Sequence, residues 1–306
     1  MNIREWTLPV YTILTQLAIG ALFIFWVIRT LSNQRYGKEF IDKFLRIPIL
    51  IILFTVIFGL LAAHLHLSRP YLSFLALRNV QSSWLSRELA FNLAFIISLS
   101  CLFYIFWFTQ NHDRLKTFLG WLTISFGFAT DFCMSHIYLL ASQPAWNSPL
   151  TVLSFFSTTM LLGVMTVPVL IIMDYRFTQE GLEGKRSIYN ATIQRSLNWF
   201  AVSAIVLIIT IAVLNYIQIT TLRSGSVSAQ TSVDLLIQLY RPLLFVRYIL
   251  LIAGVIWLSM TLLFSQQKRR ILEKLMAPAY MACLLVLIGE ILGRFLFYAI
   301  HVRIGI

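Results

Sequence analysis

Along the 306 residues the apolar positions do not alternate with polar ones; they run together in long stretches separated by short polar connections. A hydrocarbon core of about 30 Å needs about 20 apolar residues per helix. Eight runs reach that length: Leu8–Ile28, Phe44–Leu67, Leu89–Phe108, Thr117–Ala141, Leu150–Met173, Leu197–Ile219, Leu243–Phe264 and Leu275–Ile300. Continuous runs exclude a membrane barrel, whose strands alternate over about ten residues. The first run is longer than the core of a secretory signal and lacks a small-residue cleavage site after it, so it reads as a retained helix. The longest connections, about Asp174–Ser196 and Thr220–Pro242, are too short to bury a core of their own. The pattern therefore predicts one all-α integral membrane domain over residues 1–306, a bundle of eight transmembrane helices.

Composition narrows the class further. The chain is 59% hydrophobic and 12% charged, with a mean hydropathy of +0.81. Soluble domains carry about 25% charged residues, so a soluble globular protein is excluded. The net charge of +12 does not mark a nucleic-acid binder, because the aliphatic content is far too high. In a membrane protein the excess of Lys and Arg reports topology. Fifteen of the 24 cluster after odd-numbered runs, eight lie on the other side, and Arg294 sits inside the last run. That bias places both termini on the outer, periplasmic side of a bacterial inner (plasma) membrane crossed many times.

Ionisable residues at membrane depth are costly and are functional or paired by default. His64, His66, Glu88, Asp131, His136, Glu290, Arg294 and His301 all fall in the outer half of the predicted spans, with Tyr138 beside them, while the inner half reads as almost wholly apolar. Asp131 is expected about ten residues, or about 15 Å, below the outer end of its run. Glu290 and Arg294 are four apart and share a helix face, so a mutual ion pair is one reading. A hydrogen bond to a neighbouring helix is the plain alternative for Asp131, and a helix-end cap for His301. Trp84, Trp146, Tyr71 and Tyr298 read as an aromatic belt. No metal site is expected. Cys101, Cys133 and Cys283 lie singly within apolar runs, short of the four thiolates an iron–sulfur cluster needs. No histidine lies in the inner half of a span, so two stacked haems are excluded, and no haem is expected.

Two stretches carry a family resemblance. His66-Leu67-Ser68-Arg69-Pro70, continuing through Ala76-Leu77-Arg78-Asn79 to Ser83-Trp84-Leu85-Ser86-Arg87-Glu88, resembles the second connection of the dimethyl sulfoxide reductase membrane-anchor family. Gly289-Glu290-Ile291-Leu292-Gly293-Arg294, with Phe297, Tyr298 and His301, is similar to that family's last helix. Pro144-Ala145-Trp146-Asn147-Ser148-Pro149 and the amino-terminal Glu5, Trp6, Pro9 and Gln16 fit as well, so the likeness covers essentially the whole chain. The resemblance implies a haem-free anchor that oxidises menaquinol in anaerobic respiration. It passes electrons to a four-cluster ferredoxin-like iron–sulfur subunit, which feeds a molybdopterin catalytic subunit. The family's quinol-site histidine and glutamate map onto His66 and Glu88. Ser68-Arg69 departs from the Gly-Ser of some relatives and alters the expected docking surface, where Arg69, Arg78 and Arg87 are the candidate partner contacts.

The chemistry of those residue types agrees. Quinol oxidation releases two protons and two electrons; imidazole accepts a proton near neutral pH, and a partly buried carboxyl can relay the second. Arg294, Glu290, Asp131, His136, Tyr138 and His301 are candidates for a supporting shell or proton relay. Two other classes remain: a proton-coupled transporter, which places its key charges at mid-bilayer, and an inert tether of a redox enzyme.

Overall fold

The computed structural model describes residues 6–36, 42, 45–66, 70–109, 112–177, 186–268 and 276–304. Helices form because continuous apolar sequence offers the backbone no other partner in lipid than itself. In chain order they are α1 (Thr7–Tyr36), α2 (Arg46–His66), α3 (Trp84–Phe108), α4 (Asp113–His136), α5 (Pro149–Phe177), α6 (Arg186–Arg223), the short α7 (Val227–Asp234), α8 (Arg241–Lys268) and α9 (Met276–Ala299). No strand occurs among the described residues. Ser83 begins α3 by accepting the Ser86 amide, and Ser226 does the same for Ala229 at α7, each satisfying a backbone donor that the first helical turn leaves open.

Seven of these helices are long and apolar enough to cross a membrane: Thr7–Leu31, Arg46–Leu65, Trp84–Phe108, Pro149–Asp174, Trp199–Arg223, Arg241–Thr261 and Ala277–Ala299. The remaining predicted span corresponds to α4, which carries Asp113, Arg114, Lys116 and Asp131 within its 24 residues and falls outside that set. It also ends five residues sooner than the apolar run implies, because 137–148 folds into successive turns. Asp131 is thus about 7.5 Å below the helix end, half the expected depth. The two long connections are also partly helical. α5 runs on to Phe177, α6 begins at Arg186, and Thr220–Pro242 contains α7 and a π-helical turn, Leu235–Leu239.

α1 and α5 are the most enclosed helices. α2, α3 and α4 gather on one side of α1, and α6, α8 and α9 on the far side of α5. α1 and α5 cross at Gly20 and Gly163. A Cβ on Gly20 would collide with the Thr159 carbonyl oxygen, and one on Gly163 with the backbone of Gly20. Small residues at such crossings let backbones approach closely, which is how helices associate in lipid without a hydrophobic driving force. Apolar side chains of the two halves, among them Leu22, Phe25, Phe95, Leu161, Met165 and Leu251, join into one continuous core.

The end of the bundle away from the termini corrects the expectation of an almost wholly apolar inner half. Arg29 and Lys116, counted in sequence as loop charges, are buried and bridge one carboxylate: Arg29 Nε lies 3.1 Å from Asp42 Oδ1 and Lys116 Nζ 2.8 Å from Asp42 Oδ2. Arg29 also donates to Thr117 Oγ1 at 3.1 Å and stacks on Trp26 and Phe106. The physical reason is pairing: folding Asp42 between α1 and α4 gives two cations that would otherwise be costly to bury one shared carboxylate.

A buried polar site at one end of the bundle

Three polar clusters lie at the opposite end, where α1 begins and α9 finishes. The first joins α1 to α3. Tyr11 donates its hydroxyl to Glu88 Oε1 at 2.6 Å, and Asn92 Nδ2 donates to the same phenol oxygen at 2.9 Å. All three are buried. Glu88 sits in the first turns of α3 and Asn92 one turn later, so both face α1. Among the described residues no cation comes within ion-pair distance of Glu88; its hydrogen-bond partner is the phenol.

The second cluster ties four helices together through Gln16 of α1, which is fully buried. Its Nε2 donates to Asp131 Oδ1 of α4 and to the Phe155 carbonyl of α5, both at 3.0 Å. Its Oε1 accepts from Arg294 of α9 at 2.7 Å. Thr159 completes the set by donating to Asp131 Oδ2 at 2.7 Å. The Arg294 guanidinium lies 3.8 Å from the centroid of the Phe155 ring, a cation–π contact that a desolvated site strengthens.

The third cluster lies between α5, α8 and α9. Thr158 donates to Glu290 Oε2 at 2.9 Å, and Arg247 lies 3.6 Å from Glu290 Oε1. Glu290 and Arg294 therefore do not form the ion pair their spacing permits. Each meets a partner on a different helix: Arg247 of α8 for Glu290 and Gln16 of α1 for Arg294.

Above these clusters the ends of α4 and α9 interlock. The Tyr138 and Tyr298 hydroxyls share a hydrogen bond at 2.5 Å. Trp146 donates to the Phe297 carbonyl at 2.7 Å and stacks on His301. His301 is exposed, with Nδ1 at 2.6 Å from the Tyr298 carbonyl. Trp146 and Tyr298 are thus packed between helices, whereas exposed Tyr71 is placed as a belt residue would be. His136 stacks on Trp84 and Phe132 at the surface, and Arg87 covers the other part of Trp84 while donating to the carbonyls of Val80 and Gln81. His64 spans from the Leu60 carbonyl to Ser73 Oγ.

The structure therefore brings Glu88, Asp131, Glu290, Arg294 and Tyr138 to one end of the bundle interior and leaves His136, His301, Arg78 and Arg87 at its rim. His66 closes α2, but its side chain, like all of Arg69, lies outside the described residues. Sequence reading missed Tyr11, Gln16, Asn92, Thr158, Thr159 and Arg247 as participants. A signal was present: Tyr11, Thr12, Thr15 and Gln16 place polar groups at helical spacing on one stripe of an otherwise apolar span. Uncharged polar groups stand out less than charges because they are cheaper to bury. Among the described residues no group of His, Cys, Asp and Glu is arranged to hold a metal ion.

Similarity to known proteins extends over the same length. Residues 1–300 match the family model described as the DMSO reductase anchor subunit. The protein is 26% identical over 312 residues to the anaerobic dimethyl sulfoxide reductase subunit YnfH of Escherichia coli, an alignment covering 99% of this sequence and 96% of that one. It is 26% identical over 311 residues to the C subunit of the anaerobic dimethyl sulfoxide reductase of Haemophilus influenzae, covering 100% and 98%. It is 24% identical over 310 residues to the C subunit of the Escherichia coli enzyme, covering 99% and 96%.

Proposed function

Since the chain belongs to the dimethyl sulfoxide reductase anchor-subunit family, a family of multi-pass membrane anchors, we propose that it oxidises menaquinol at the end of the bundle that holds Glu88. The electrons pass to an iron–sulfur subunit of a molybdopterin-dependent reductase docked over that end. α4 is then the eighth membrane crossing: its 24 residues span about 36 Å, and it packs between α3 and α1. The bias of Lys and Arg puts the Glu88 end, with both termini, on the outer face.

The observation that carries this reading is the buried Glu88 carboxyl, held by a phenol rather than a cation and close to a second phenol pair. A carboxyl without a compensating charge is one that can exist in either protonation state. In quinol oxidation both O–H bonds break. His66 takes one proton and Glu88 the other, two electrons leave for the partner's clusters, and the protons pass to the adjacent outer solvent. Tyr11 holds the Glu88 carboxyl at one orientation, and Asn92 holds Tyr11. Gln16, Asp131 and Arg294 fix the neighbouring helices so that this geometry persists. The reaction is nearly electroneutral because electrons and protons leave on the same side.

A proton-coupled transporter is disfavoured by the same geometry. Among the described residues the buried ionisable groups gather toward the two ends of the bundle, with core side chains such as Phe95, Leu99 and Leu161 between them.

The test uses the whole complex in membranes. Glu88→Gln and His66→Arg are each expected to abolish turnover with a menaquinol analogue while leaving assembly intact. Activity with an artificial donor that reduces the clusters directly should persist. Full quinol-dependent turnover in both variants refutes the site.

A further inference from the structure

A cavity opens beside the third cluster, between α5, α6, α8 and α9 and beneath α7. It is separate from the Glu88 cluster, and neither Glu88, Tyr11 nor Tyr138 lines it. We propose that this cavity is a second binding site for a lipid-soluble hydroquinone or its quinone.

Three observations carry the assignment. Arg247, Glu290 and Arg294 line the cavity and are each more than nine-tenths buried. Charged groups are costly to hold in a low-dielectric interior, so a pocket bordered by three of them suits a polar guest. Second, donors and an acceptor stand together. A phenolic hydroxyl can give its proton to Glu290 and accept from a guanidinium, and a quinone carbonyl can accept from either arginine. A phosphate headgroup fits less well, because Glu290 already offsets one of the two cations. Third, Leu222, Leu236, Leu244, Leu296 and Phe297 make the rest of the wall apolar. That lining suits a fused ring and hydrocarbon tail.

The pocket is also shaped by a glycine. A Cβ on Gly293 would lie 2.5 Å from Arg247 Cζ and Nε, so only glycine there lets the Arg247 guanidinium rest against α9 at the cavity edge. Arg294 borders the cavity and also reaches the Gln16 network through its terminal nitrogen. An occupant is therefore in contact with the residue that tethers α9 to α1.

The ligand class rests on the menaquinol reading above, whereas the pocket and its charged lining do not. The experiment is photolabelling of the intact complex in lipid nanodiscs with an azido-naphthoquinone, followed by peptide mapping. Adducts are expected on peptides covering 215–247 and 290–300, lost when excess unlabelled menadione is added. They should also be lost in Ser232→Trp, or in Ser154→Met where the first variant does not assemble, with labelling around Glu88 retained in either variant. Absence of adducts on those peptides, or adducts that neither competition nor filling removes, overturns the second site. Cavity adducts without any labelling around Glu88 would instead refute the first site and leave this one standing.

Discussion

Replacing Gln16 with Leu isolates the energetics of the four-helix junction. Leu occupies similar volume, so little cavity term is added and the change is chiefly the loss of three hydrogen bonds. Asp131 keeps Thr159, and Arg294 keeps the face of Phe155. Asp131 Oδ1 and the Arg294 terminal nitrogen, however, lose their partner in a buried site. Interhelical hydrogen bonds in membrane proteins average about 0.6 kcal/mol and reach about 1.7; three of them give about 2–5 kcal/mol. The upper part of that range applies here because two of the three partners are charged groups, for which an orphaned bond costs more. The assay is reversible unfolding of the complex in mixed micelles on titration with a denaturing detergent, read by tryptophan fluorescence. A double-mutant cycle with Asp131→Asn adds a stricter demand. Because the two side chains touch, their effects should be non-additive by at least about 0.5 kcal/mol. A Gln16→Leu variant within about 0.5 kcal/mol of the parent, the range of ordinary surface substitutions, or a cycle that closes additively, would refute the junction.

Gly20→Val should drive α1 from α5 and pull Gln16 away from Asp131, costing about 1–3 kcal/mol as overpacking does; unchanged detergent resistance would refute the close crossing. Charge reversal at Arg78, alone and with Arg69, should lower recovery of the iron–sulfur subunit with the anchor in mild detergent, and full recovery argues against docking there. A cysteine introduced at Gly225, beside the start of α7, should react with an impermeant maleimide only from the outer face of sealed vesicles. Reaction only from the inner face would overturn the topology.

Much of the fold was legible along the chain because a bilayer allows few solutions. A spanning segment must be helical and about 20 residues long, so the lengths of the apolar runs nearly dictated α1, α2, α3, α5, α6, α8 and α9. The gathering of ionisable residues toward one end was also readable, since alternate helices reverse direction. Pairing was not. Spacing along one helix offered Glu290 and Arg294 to each other, but the structure gives Glu290 to Arg247 and Arg294 to Gln16. Those choices depend on how α8, α9, α1 and α5 are rotated, and rotation is set by small-residue contacts such as Gly20 against Gly163. Sequence periodicity likewise treated Arg29 and Lys116 as loop charges, because nothing local reveals that Asp42 folds back between them. Local sequence determines whether a segment crosses the bilayer, through the free energy of burying its own side chains and backbone. Which buried polar groups meet is decided only when packing brings residues far apart in the chain within hydrogen-bonding reach of each other.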